Sequence, residues 1–126
     1  MSTNTALLDR DKVDSAFLER LLEARKNGEV DFVLIDIREP YEYEAGHIVG
    51  VDHLLPTTQF RSWAEILPQK FPDQPVILTC RTANRTGQVQ QILREQLGMS
   101  SVINHAGGIV TYHGEVASGM EGAHGV

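Results

Sequence analysis

Cys80 is the one cysteine among 126 residues, and its neighbours suggest a chemistry. It ends the apolar run Val76-Ile77-Leu78-Thr79 and opens a polar stretch, Arg81-Thr82-Ala83-Asn84-Arg85-Thr86, ahead of a helical pattern. At a strand-to-helix turn, several backbone N–H groups and the positive end of the helix dipole point at one spot. That field, with Arg81 and Arg85 nearby, favours a thiolate, the form of sulfur that attacks as a nucleophile. The same donors would cradle an anion. A lone cysteine is more often inert buried packing. The exit from an apolar strand into an arginine-bearing turn favours function here. A single cysteine also excludes an internal disulfide, a C-x-x-C redox pair and a thiolate zinc cluster.

The elements that must position this loop can be read along the chain. Asp14 to Lys26 reads as an amphipathic helix, with Phe17, Leu18, Leu21 and Leu22 on one face, Asp14 or Ser15 as its cap and Gly28 as its stop. Phe32 to Ile37 is an apolar run broken by Asp36, the signature of a buried strand. Pro40 opens a short helix that Gly46 closes. Val51 to Leu55 reads as a further short strand. Phe60, Trp63, Ala64 and Leu67 fall at helical spacing and mark core. Pro75 to Thr79 is a second buried strand. Val89, Ile92, Leu93 and Leu97 place a helix after the Cys80 loop, and Ser101 to Asn104 a third short strand. Strands alternate with helices, which predicts an α/β fold around a mainly parallel sheet. In such sheets ligands gather at the carboxyl ends of the strands, where Cys80 falls. His113 to Val126 is rich in glycine and poor in apolar residues, and is expected to be a loose tail.

Composition narrows the partners. With 41% hydrophobic and 22% charged residues, the chain has the make-up of a globular domain. Its formal net charge of −6 argues against nucleic acid and anionic membrane surfaces. No apolar run nears the ~20 residues that span a bilayer. Met1 to Val13 lacks a basic start followed by an apolar stretch, so no signal peptide and a cytoplasmic location are expected. His53, His105, His113 and His124 show no metal-ligand spacing, and no metal is expected.

Three motifs, in order, carry a resemblance. Cys80-Arg81-Thr82-Ala83-Asn84-Arg85-Thr86 resembles the active-site loop of single-domain rhodaneses (thiosulfate sulfurtransferases), often written C-R-S-G-N-R-S. Asp36-Ile37-Arg38-Glu39-Pro40-Tyr41-Glu42-Tyr43-Glu44-Ala45-Gly46-His47-Ile48-Val49-Gly50 is similar to the family's D-V-R-x-x-x-E-[FY]-x-x-G-H-I-x-G. Asn104-His105-Ala106-Gly107-Gly108-Ile109 is similar to its N-x-x-G-G-[IM]. Together they span roughly Phe32 to Tyr112.

The resemblance implies a rhodanese-like three-layer sandwich, a five-stranded mainly parallel sheet flanked by helices. It implies one domain over residues 1–126, with a core of about 7–113 and a glycine-rich tail over 114–126. It implies that Cys80 takes the outer sulfur of thiosulfate or a related donor, releases sulfite, and passes the sulfur from a persulfide to cyanide or a thiol, without a metal or organic cofactor. Backbone N–H groups from Arg81 through Thr82, Ala83, Asn84 and Arg85 to Thr86 would cradle the outer sulfur, and Arg81 and Arg85 would attract the anionic donor. With no second thiol in the chain, the acceptor must come from outside, and a protein sulfur donor or acceptor is possible.

Asp36 and Arg38 are expected to fix loops by ion pairs, with Glu42 in the same network. His47 is expected to be a hydrogen-bonded structural residue, and His105 to lie at the surface. Gly107 and Gly108 are expected to permit a tight turn.

The chain departs from the family pattern in places. Ala83 stands where glycine is usual, which matters if the position needs a positive φ. Tyr112 stands where tryptophan is frequent, Pro56 comes one residue late, and the usual apolar ending is absent beyond Tyr112. Two alternatives share the chemistry or the fold. One is a persulfide carrier or binding module serving a protein partner. The other is a phosphatase or arsenate reductase, whose C-x-x-x-x-x-R loop is one residue longer than the Cys80–Arg85 spacing.

Overall fold

The structure, a computed structural model, describes residues 7–126. The start of the Met1–Val13 segment, expected to carry no signal peptide, lies outside the described residues, as does the start of the expected domain.

Five strands form one sheet. They are β1 (Lys12–Val13), β2 (Val33–Asp36), β4 (His53–Leu54), β5 (Val76–Thr79) and β6 (Val102–His105), in the order β1-β6-β5-β2-β4, with every pair parallel. The central strands β2 and β5 are buried along their whole length, which is why they read as continuous apolar runs rather than alternating ones. Alternation decides instead which layer each side chain enters. Val33, Ile35, Val76, Leu78 and Val102 face one core, Leu34, Ile77 and Ile103 the other.

Helix α1 (Ser15–Lys26) covers the second core with Leu18 and Leu21. Asp14 caps it by accepting a hydrogen bond from Phe17 N at 2.8 Å. Helices α3 (Phe60–Trp63), α4 (Ile66–Lys70) and α5 (Asn84–Glu95) cover the first core with Trp63, Leu67, Val89 and Leu93. The result is the helix–sheet–helix sandwich that the alternating order predicts. Helix α2 (Pro40–Ala45) starts with proline at its first turn, and Glu42 reaches back to the Glu39 N–H at 2.9 Å.

Some elements differ from expectation. The Phe60–Leu67 stripe is two short helices, not one. Pro68 has no N–H to offer the Ala64 carbonyl, and its ring crowds that carbonyl, so the turns cannot continue unbroken. Strand β4 holds two residues of the expected five. Strands β1, β3 (His47–Ile48) and β7 (Val116–Ala117) have two residues each, too short for any periodicity to show.

The expected loose tail is not loose. Strand β7 pairs antiparallel with β3. Gly119 N donates to Glu44 O at 2.8 Å and Leu54 N to His124 O at 2.9 Å, while Tyr43 Oη donates to Glu121 O at 2.8 Å. Val126 packs against the first core. These anchors are mostly backbone groups, which a glycine-rich sequence offers without advertising it.

Candidate active site

The loop leaves β5 at Cys80, at the carboxyl edge of the parallel sheet, and enters α5 at Asn84. A second segment straps it from behind. Ile109 N donates to Cys80 O at 2.8 Å, and Val110 N to Arg81 O at 3.2 Å. Gly108 makes this approach possible. With φ at 69°, a Cβ there would lie 2.4 Å from Arg81 O and 2.7 Å from Cys80 O, so a side chain has no room. Gly107, also at positive φ, completes the turn. Both glycines thus sit where the expected tight turn falls.

Cys80 is 1% exposed and unpaired. Its Sγ accepts the Ala83 N–H at 3.1 Å. Ala83 is the one described non-glycine residue at positive φ, 76°, at the head of α5. That conformation costs a β-carbon-bearing residue roughly 1–2 kcal/mol, and here it aims the N–H at the sulfur. Cys80 S–H reaches Thr86 Oγ1 at 3.9 Å. Buried Thr86 hydrogen-bonds Ala83 O at 3.0 Å and also Asn104 Oδ1, tying the loop to the end of β6. Arg81, Thr82 and Asn84 are exposed at the mouth.

Arg85 does not hang over the loop as an unpaired cation. Its Nη1 and Nη2 donate to Glu42 Oε1 and Oε2, each at 3.0 Å. Glu42 thus pairs directly with Arg85, while its link to the Asp36–Arg38 network is the charge of Arg38, which also lowers its pKa. Arg85 hydrogen bonds hold the Glu42 carboxyl below its ordinary range, against the opposing effect of burial. The carboxylate in turn raises the Arg85 pKa. Arg81 has no such partner among the described residues and is the exposed cation of the loop.

Asp36 and Arg38 form a buried pair of their own. Arg38 Nη2 donates to Asp36 Oδ2 at 2.8 Å, its Nε to Asp36 Oδ1 at 3.0 Å, and Nη2 also to Gly46 O at 2.7 Å. The pair joins the end of β2 to the end of α2. His47 is buried, with Nδ1 2.9 Å from Tyr43 O and its ring stacked on Tyr43 at 3.7 Å.

His105 overturns its expected surface position. It is fully buried, with Nδ1 2.8 Å from Thr79 Oγ1 and Nε2 2.8 Å from Ser15 Oγ. Burial lowers its pKa to about 4, with the Asp14 charge partly opposing. Strand alternation carried the missed signal, since His105 shares a face with buried Ile103. Asn104, Ile109 and Val110 also belong to the site, and a reading centred on charged side chains passes over them. Among the described residues, no group of three or more His, Cys, Asp or Glu is placed to hold a metal. No helix among them is long and apolar enough to cross a membrane.

A helix–sheet–helix sandwich with a lone cysteine heading a strand-to-helix loop defines a recognisable class of α/β domain. The chain belongs to the rhodanese-like domain family, whose model matches residues 17–115. It is 34% identical over 105 residues to a thiosulfate sulfurtransferase GlpE from Pseudomonas entomophila, a match covering 80% of this chain and 89% of that protein. It is 35% identical over 83 residues to the uncharacterized protein YqhL of Bacillus subtilis, covering 66% of this chain and 62% of that protein's length. A solution structure of the rhodanese-like domain of Alr3790 from Anabaena superposes with a TM-score of 0.68 at 19% identity, covering 86% of this chain and 80% of that one.

Proposed function

We propose that this chain is a sulfurtransferase that carries sulfane sulfur on Cys80. The thiolate attacks the outer sulfur of thiosulfate. The S–S bond of the donor breaks, sulfite leaves with the bonding electron pair, and an enzyme persulfide remains. Cyanide or an acceptor thiolate then attacks the outer sulfur, leaves with it as thiocyanate or a new persulfide, and returns Cys80 as a thiolate. Such a cycle has ping-pong kinetics. No electrons are gained or lost overall, so no redox cofactor or metal is needed.

The observation that carries this reading is the Ala83 N–H aimed at Sγ from 3.1 Å at the head of α5. A donor so placed stabilises negative charge on the sulfur. Arg81, exposed and without a side-chain partner among the described residues, draws in the small sulfur-containing anion. The loop's backbone N–H groups from Arg81 to Thr86 receive the outer sulfur. The net charge of −6 argues against nucleic acid and anionic membrane surfaces as partners, and acceptor thiols are abundant in a reducing compartment.

A phosphatase or arsenate reductase would need the loop arginine free to grip a tetrahedral oxyanion with both prongs. Arg85 spends both prongs on Glu42. A persulfide carrier with a protein partner is the second reading. It is favoured by exposed Tyr41 (74%) and Val110 (56%), the one beside Glu42 and the other bonded to Arg81.

Intact-mass measurement after incubation with thiosulfate tests the proposal. A gain of one sulfur, absent in Cys80→Ser, supports it. Absence of any gain in the wild-type chain sinks it.

A further inference from the structure

One buried titratable side chain has no part in that cycle. His105 sits in a row of hydrogen bonds whose direction can be deduced. Thr111 Oγ1 donates to Gly108 O at 3.0 Å, which uses its only proton. Ser15 Oγ, 2.7 Å away, must therefore donate to Thr111 Oγ1. Ser15 then has no proton left for His105, so Nε2 carries the hydrogen and donates to Ser15. In a neutral imidazole the other nitrogen is then a bare acceptor, and Thr79 Oγ1 donates to Nδ1. The row runs one way, from Thr79 through His105, Ser15 and Thr111 to the Gly108 carbonyl. Its neutral imidazole agrees with the pKa of about 4 that burial imposes.

Both ends of the row touch the reactive loop. Thr79 is the residue before Cys80. Gly108 is the residue whose Cα lies against the Cys80 and Arg81 carbonyls, followed by the Ile109 and Val110 N–H groups that hold those carbonyls. We propose that His105 is a positioning residue for the Cys80 loop, joining the strand end before the sulfur to the strap behind it through this one-way row. Its effect on turnover rests on the sulfur-transfer reading, whereas its effect on the loop does not. Thr79, His105 and Ser15 are buried and each has one proton to give, so the loss of any of the three leaves its neighbours unpaired in the interior, while Thr111 carries the row out to the strap.

Amide hydrogen exchange on His105→Leu and Thr111→Val provides the test. The amides of Ala83, Ile109 and Val110 should exchange about tenfold faster in both variants, while those of Leu34 and Ile77 in the sheet interior stay as in wild type. Thiosulfate turnover should fall roughly tenfold in kcat, with KM within about twofold. His105→Gln, which keeps an N–H donor for Ser15, should restore part of the loss. Uniform acceleration across the sheet would mean a general structural role and overturn the proposal, as would unchanged exchange at the three loop and strap amides. If His105→Leu does not fold, Thr111→Val, at an exposed residue, decides the matter alone. A wild-type chain that never loads sulfur would end the sulfurtransferase reading, and the exchange comparison would still decide the role of His105.

Discussion

Arg85 and Glu42 meet prong to prong, Nη1 on Oε1 and Nη2 on Oε2, both at 3.0 Å. The contact fastens the first turn of α5 to α2, so one of the two loop arginines holds structure while the other faces solvent.

Arg85→Ala and Arg81→Ala should therefore fail differently. Arg85→Ala strands a half-buried carboxylate and should destabilise the chain by about 1–2 kcal/mol. Arg81→Ala should leave the melting temperature nearly unchanged and raise KM for thiosulfate several-fold. Urea unfolding and steady-state kinetics on both variants check this. The reverse assignment of effects would show that Arg81 is not the donor-attracting group.

Gly108→Ala should be severe. Its Cβ would stand 2.4 Å from Arg81 O, and the positive φ adds strain, so a loss of about 2–4 kcal/mol is expected. Sulfur loading should collapse even where the variant stays folded, because the strap must withdraw from Cys80. Intact mass after thiosulfate reads this out, and normal loading would contradict it.

Ala83→Gly should stabilise. Release from φ 76° recovers roughly 1–2 kcal/mol, part of it offset by the greater freedom of glycine in the unfolded chain. A net gain of about 0.5–1 kcal/mol, with sulfur loading retained, is the expected result. A loss of stability in urea would mean the alanine is unstrained.

His105 and Glu42 both contribute to the acid limb of stability. The folded-state pKa of His105 is lowered to about 4, so between the ordinary histidine value and 4 the unfolded chain binds the extra proton. The stability that His105 contributes is then fully present above about pH 6.5 and falls by on the order of 3 kcal/mol as pH drops to 4. His105→Leu should flatten that slope. Glu42, with its pKa also lowered, adds stability above the ordinary carboxylate pKa that is lost as pH falls through its folded value. Urea midpoints from pH 4 to 7.5 measure both, and an unchanged slope in His105→Leu would refute the assignment to that residue.

The sequence disclosed what local pattern controls. Val33–Asp36 and Val76–Thr79 announce themselves because strands buried on both faces must be apolar throughout, and Cys80 stands out because it breaks such a run. What stayed hidden depends on partners far apart in the chain. Ser15 and His105 are ninety residues apart. The Glu42 carboxylate faces Arg85 rather than Arg38, and spacing along the chain could not choose between two equally good cations. The segment after His113 offered too few apolar side chains to predict anchoring, because its anchors are amides and carbonyls.

That last segment alters how the sheet meets its surroundings. Strand β4 is one of the sheet's two outer strands, and an outer strand left bare invites pairing with a neighbouring molecule. His124 O takes the Leu54 N–H, and Gly125 O meets His53 Nδ1 at 3.0 Å. The glycine-rich end thus takes the place a neighbouring strand would occupy along the β4 margin, so that margin is closed from within the chain.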